Sequence, residues 1–196
     1  MSEQPLKRNN YFHGKLLGAD DFKLEQDYFL GKQRRHNRLL LGSGIVTGLD
    51  LSVTDDSVAV TPGVAIDPSG REIVVPDCQW ITIADGNYSR WYVVLQYAEK
   101  EVDPVPAMAS ESVAFAHIEE SFQLHLTPAD LPAEDKTAAT VTLGEIVRAQ
   151  SAWMVNARFR RPLVRRVRPD DAPVALAAGL VLGLVCSALL FGKQRK

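Results

Sequence analysis

Residues 172–192 read APVALAAGLVLGLVCSALLFG, a run without charge in which Ser187 is the only polar side chain. Lys193, Gln194, Arg195 and Lys196 follow it. Such a run has no polar face to offer to water, so it cannot be one stripe of an amphipathic helix. As a helix it spans about 31 Å at a rise of ~1.5 Å per residue, against a hydrocarbon core of about 30 Å. Its strongly apolar side chains are Val174, Leu176, Leu180, Val181, Leu182, Leu184, Val185, Leu189, Leu190 and Phe191. At about −0.3 to −0.6 kcal/mol each they favour insertion by several kcal/mol, partly offset by Gly, Pro and Ser. The run predicts a single C-terminal transmembrane helix. Within it, Gly179 and Gly183 form a small-xxx-small pattern that lets two such helices pack closely, which makes a homo-oligomer possible.

The opening stretch MSEQPLKRNN has no apolar segment, so no signal peptide is expected. A span with no leader predicts a membrane protein whose folded domain faces the cytoplasm. The basic residues before the span agree with that orientation: Arg158, Arg160, Arg161, Arg165, Arg166 and Arg168. They are candidates for contact with anionic lipid headgroups, worth about 1 kcal/mol each near such a surface. The alternative is an ordinary solvated strand face followed by a stop-transfer signal.

The charge is unevenly placed. Residues 158–196 hold nine basic and two acidic side chains, whereas residues 1–157 hold thirteen basic and twenty-two acidic. An acidic domain argues against nucleic acid as a partner, since a nucleic-acid binder puts its basic surface on the domain. The two cysteines, Cys78 in the domain and Cys186 in the span, cannot pair within one chain, which fits a reducing compartment.

Residues 20–41, DDFKLEQDYFLGKQRRHNRLLL, predict a helix. Asp20 and Asp21 suit its start, Lys32, Arg34, Arg35 and Arg38 suit its end, and Gly42 follows as the stop. From residue 44 the apolar period changes to two. Strands are predicted over 45–53, 57–61, 64–66, 71–75, 79–83, 91–97, 121–126, 141–149 and 153–159, with Gly48 as a bulge or close approach and a turn at Asp67-Pro68-Ser69-Gly70. Residues 99–118 and 128–135 are read as loops. The fold class is mainly β (α+β): an N-terminal segment 1–43 with its helix, a compact domain 44–160 of about seven to nine short strands, a basic, proline-containing linker 161–171, the span 172–192 and a basic tail 193–196.

Catalytic signatures are missing. His13, His36, His117 and His125 show no metal-ligand spacing, and no HExxH, GxSxG, P-loop or GxGxxG occurs. Gly42-Ser43-Gly44 follows a helix and precedes a strand, the wrong order for a nucleotide turn. An enzyme is not expected, nor a metal or other cofactor.

Two stretches carry a family resemblance: NYFHGKLLGADDFKLEQDYFLGKQRRHNRLLLGSGIVTGLDL and VAVTPGVAIDPSGREIVVP. Through Tyr11, Phe12, Gly14, Leu16, Leu17, Asp21, Phe22, Glu25, Gln26, Tyr28, Lys32, Arg35, His36, Asn37, Arg38, Leu40 and Gly42 the first resembles a protein type found with phage-tail-like contractile injection systems. Gly44, Val46, Gly48, Leu49, Pro62, Gly63, Ala65, Asp67, Gly70, Arg71, Glu72 and Ile73 continue the likeness. Phage tail-fibre and baseplate proteins use the same strand phrase, and the C-terminal span departs from the pattern. The resemblance implies a membrane-anchored structural or adaptor component that attaches the baseplate end of an injection particle to a membrane. Its partners would be the membrane and protein components of the particle. A tail-fibre or baseplate subunit without an anchoring role is the alternative, as is a membrane-tethered ligand-binding domain. Candidate partner-interface residues are Tyr11, Phe12, Tyr28, Arg35, His36 and Arg38; Tyr11, Phe12, Tyr28 and Phe29 supply aromatic anchors for a core or an interface.

Overall fold

A computed structural model describes residues 7–83, 88–106, 113–129, 139–149 and 152–164. The N-terminal helix forms where its charges place it. Helix α1, Ala19–His36, carries Asp20 and Asp21 in its first turn and Arg34, Arg35 and His36 in its last. Gly18 precedes it in extended backbone, and its N–H donates to the Asp21 carboxylate at 3.1 Å. The end widens into a π-helical turn, Asn37–Leu41, which stops at Gly42 with φ 76°. That left-handed backbone is a helix-ending conformation open to glycine.

Ten strands follow among the described residues, all paired antiparallel, in three sheets. The first joins β1 (Gly44–Gly48), β4 (Gly63–Ile66) and β5 (Glu72–Val75). The second joins β2 (Leu51–Thr54), β3 (Ser57–Val60) and β6 (Gln79–Thr82). The third has the order β10-β9-β7-β8, from β7 (Arg90–Pro106), β8 (Val113–Pro128), β9 (Thr140–Ala149) and β10 (Ala152–Val155). Each sheet contributes to a single apolar core: Ile45, Ile73 and Val75 from the first, Val58 and Val60 from the second, Val93, Leu95, Leu143 and Ile146 from the third.

The mainly β class is as the sequence predicts, but the strands are neither seven to nine nor all short. Three expectations are corrected. The single strand over 45–53 is two strands, because Gly48 and Leu49 adopt φ 61° and 58° in succession and swing the chain from the first sheet to the second. Gly48 pairs with Gly63, and a Cβ on Gly48 would stand 2.1 Å from the Pro62 carbonyl oxygen. Two backbones pass at contact distance here, which only glycine permits.

The loop expected over 99–118 is, at 99–106 and 113–118, the outer part of the β7–β8 hairpin. Strand β9 covers β7 only as far as Gln96, so beyond that point the hairpin is a two-stranded ribbon with no further strand paired to either edge among the described residues. Both faces of the ribbon meet solvent, which removes the alternation that signals a strand. The open edge also tolerates Pro104 and Pro106, which have no N–H to give.

The last strand stops at Val155 rather than running on to residue 159. Asn156 starts a turn closed by the Phe159 N–H to its carbonyl at 3.0 Å. Residues 161–164 then run back into the fold: Ile45 N–H donates to the Pro162 carbonyl at 2.7 Å, and Val164 is buried. No helix among the described residues is long and apolar enough to cross a membrane, and the predicted span 172–192 lies outside the described residues.

Candidate interaction surface

An 18-residue helix in water is marginal by itself and usually buries one apolar face. Helix α1 buries no residue. From the segment before it to the turn after it, Tyr11, Phe12, Leu16, Leu17, Phe22, Leu24, Phe29, Leu30, Leu39 and Leu40 are all exposed, Leu16 to 93%. Scattered single apolar residues on a surface need no explanation, but so many along one segment make it the candidate interaction surface.

The surface is ordered by local contacts. Lys15 joins Asp21 at 3.0 Å and Asn9 at 3.2 Å, and Asn9 donates to the Asp21 carbonyl, tying the leading segment to the start of the helix. The Gly18 N–H, and after it Lys15, hold the Asp21 carboxyl below its ordinary value. Lys15 lies 5.6 Å from the Tyr11 ring centre, and Tyr28 meets Phe29 edge to face at 5.3 Å.

The far end of α1 is held to the β-domain. Asn37 Nδ2 donates to the Gly70 carbonyl at 3.0 Å. The turn it reaches is organised by Asp67, which is fully buried and accepts from Ser69 N at 2.8 Å, Arg71 N at 2.9 Å and Arg71 Nε at 2.7 Å. Arg71 also stands 4.7 Å over the Tyr97 ring. The helix, this turn and the hairpin root enclose a cleft of about 300 Å³, with Leu30, Arg34, Glu72, Val74, Tyr97 and Glu120 in its walls. Tyr97 OH lies 2.8 Å from Glu99 and 3.1 Å from Glu120, which face each other across the two strands. Burial first, and then these two carboxylates, push the Tyr97 phenol well above its ordinary range.

Of the sequence-derived interface candidates, Tyr11, Phe12, His36 and Arg38 are exposed, and Tyr28 and Arg35 are half-buried. All six lie on this one segment. Of the candidate headgroup contacts, Arg158 and Arg160 are exposed. Arg161 is turned inward: Nε donates to the Leu143 carbonyl at 3.0 Å, Nη1 meets Asp50 at 2.5 Å, and Nη2 reaches the Gly48 carbonyl at 3.2 Å and that of Leu49. Arg165, Arg166, Arg168, the anchor side chains, Gly179 and Gly183 lie outside the described residues. Sequence reasoning missed the exposed Val105, Phe115 and Ile118 on the hairpin.

No family model matches the chain, and no curated protein matches it in sequence. Its fold is similar to that of a chain in the TssK–TssF–TssG baseplate subcomplex of a type VI secretion system, solved by cryo-electron microscopy. That match has TM-score 0.55 and 16% identity, and covers 81% of this chain and 62% of the other. A chain of a type VI secretion baseplate complex matches with TM-score 0.54 and 15% identity, over 98% of this chain and 71% of the other. This chain thus spans less than two thirds of the first of these structures and is similar to both in fold.

Proposed function

We propose that this protein is a non-catalytic structural subunit of the baseplate of a contractile injection system, docking on its neighbours through the apolar segment 11–40. One observation carries the reading: a fold similar to that of baseplate chains presents a helix that buries none of its residues and leaves Phe22 and Phe29 more than half exposed. The sequence likeness at residues 10–75 supports it independently. Apolar burial yields about 25 cal/mol per Å² of surface removed from water, so a partner seated on these side chains would gain several kcal/mol before the costs of association. Co-purification on the tagged full-length chain, in detergent, tests the reading. Sheath, tube or baseplate proteins are expected to be retained by the native chain and lost on combining Phe12→Ser, Leu16→Ser and Phe29→Ser. Retention unchanged by these substitutions overturns it.

Residues 172–192 support a second element, anchorage of the baseplate to a membrane with the domain on the cytoplasmic side. The mechanism is geometric: weak contacts made by copies confined near the bilayer add up through high effective concentration. In a strain lacking residues 172–196, particles are expected to leave the membrane fraction. Particles that stay there show that anchoring is not this protein's role and leave the baseplate reading intact.

A further inference from the structure

The chain contains two Asp–Pro peptide bonds, Asp67–Pro68 and Asp103–Pro104. Proline has no N–H, so the next backbone nitrogen cannot close such an aspartate into an imide. The cyclisation left to it is attack of its carboxyl group on its own main-chain carbonyl carbon. The fold treats the two bonds in opposite ways.

Asp67 is fully buried, and its carboxylate accepts from Ser69 N, Arg71 N and Arg71 Nε. Held on three donors and shut off from water, it serves its turn. Asp103 lies inside β7 on the outer ribbon, with its side chain 68% exposed. Its φ is 58°. Leu49 and Asp55, the other described non-glycine residues with positive φ, stand where the chain passes from one strand to the next; Asp103 does not. The residue before a proline is pushed toward extended backbone, so a left-handed Asp103 is strained on two counts. The strand pairing is interrupted at the same place. Val102 pairs with His117 and Pro104 with Phe115, while Asp103 and Ala116 drop out of the register. His117 Nδ1 stands 2.8 Å from Asp103 Oδ2, and the imidazole is 71% exposed. The other described charged residues of the outer ribbon are Glu99, Lys100, Glu101, Glu119 and Glu120.

We propose that the protein cuts its own chain at the Asp103–Pro104 bond, with His117 moving the proton. The Asp103 carboxyl oxygen attacks the Asp103 main-chain carbonyl carbon. A C–O bond forms there, and the C–N bond to Pro104 breaks. His117 takes the proton of the carboxyl group and delivers it to the departing Pro104 nitrogen, which leaves as a secondary amine. One water opens the cyclic anhydride left on Asp103, giving a side-chain carboxyl and a new C-terminal carboxyl. Breaking the bond also releases the left-handed backbone, so ground-state strain is lost on the way to products. Trp91–Val102 stays paired with His117–Pro128, and β9 still covers β7 to Gln96, so both pieces remain in one fold. The cut frees the outer end of the ribbon from β7.

The purified full-length chain, incubated in detergent over about pH 4 to 8, tests this by denaturing gel and intact mass spectrometry. No baseplate or membrane partner takes part, so the outcome is independent of the baseplate reading. Two fragments are expected, the second starting at Pro104, with masses that sum to the chain plus one water. Asp103→Ala should abolish them, and His117→Gln should slow their formation by at least about tenfold. Asp67–Pro68 should stay whole in the folded chain. In urea, where position in the fold no longer matters, cleavage after Asp103 should slow by about tenfold. No cut after Asp103 in the folded chain, equal cutting at both bonds there, a rate that unfolding leaves unchanged or raises, or a rate indifferent to His117→Gln overturns the proposal. Circular dichroism of both variants checks that the exposed substitutions leave the fold intact.

Discussion

The side-chain amide of Asn37 donates to the carbonyl of Gly70 at 3.0 Å, across thirty-three positions of sequence. This bond fixes the end of an otherwise uncovered helix to a turn of the first sheet. It requires glycine at the receiving site: Gly70 has φ 87°, and a Cβ there would stand 2.0 Å from the Arg34 carbonyl oxygen. Helix and turn are therefore in backbone contact, and the orientation of the interaction surface depends on one missing methyl group.

Gly70→Ala accordingly combines a disfavoured backbone with a clash against helix backbone. We expect a loss of more than about 1 kcal/mol and, more tellingly, a loss of α1 docking. Hydrogen exchange of the full-length chain would show α1 amides deprotected while those of β7 and β9 stay slow. Equal deprotection of both, or of neither, would refute this. Asn37→Ala should act in the same direction but more weakly, by ~1 kcal/mol.

Arg161 makes four hydrogen bonds, to the Gly48 and Leu49 carbonyls and Asp50 at the crossing between the first two sheets and to the Leu143 carbonyl of β9. Arg161→Ala loses them and leaves carbonyls of a part-buried crossing without this partner, at a cost of about 2 kcal/mol. Arg161→Lys should recover little of this, because an ammonium cannot reproduce the planar fork. Denaturant unfolding of both variants checks the point, and full rescue by lysine would count against the clamp.

Exposed and buried apolar residues should separate cleanly. Phe12→Ser and Phe29→Ser, on the surface, should change stability by no more than about 0.5 kcal/mol while weakening partner capture. Leu143→Ala, at a fully buried core position, should cost ~2–5 kcal/mol and affect capture only through unfolding. Thermal melts run beside the co-purification assay would distinguish the two.

Two groups set the pH response. Asp21 has a folded-state value below its ordinary 3.8, so the stabilisation it gives the helix start is present above that value and lost as pH falls through the lower folded one. Tyr97 is displaced upward from 10.0, so its contribution is present below pH 10 and lost as pH rises through the higher folded value. Asp21→Asn should flatten the acid limb of helicity, and Tyr97→Phe should flatten the alkaline limb of stability. Unchanged limbs in pH-dependent circular dichroism would contradict these assignments.

Local chemistry made much of this protein legible from sequence. The helix over 20–41 follows from charges graded along its axis and a glycine stop. The turn at Asp67–Gly70 follows from an aspartate that bonds its own backbone. The glycine at 48 follows from a backbone passing too close for a side chain. The expected span 172–192 lies outside the described residues. Tertiary structure decided the rest, because it depends on what faces what. Leu49 is a strand residue by pattern, yet it turns the chain between sheets with φ 58°, its N–H held by the Pro62 carbonyl at 3.3 Å. Residues 99–106 and 113–118 look like loop because both faces of the ribbon meet water, and solvent on both sides erases the alternation by which a strand is recognised. Arg161 reads as one more basic residue near a membrane until the fold brings Asp50 beside it. Phe12 and Phe29 read equally as core or interface, because a sequence states that a side chain is apolar and only packing determines whether the chain itself covers it.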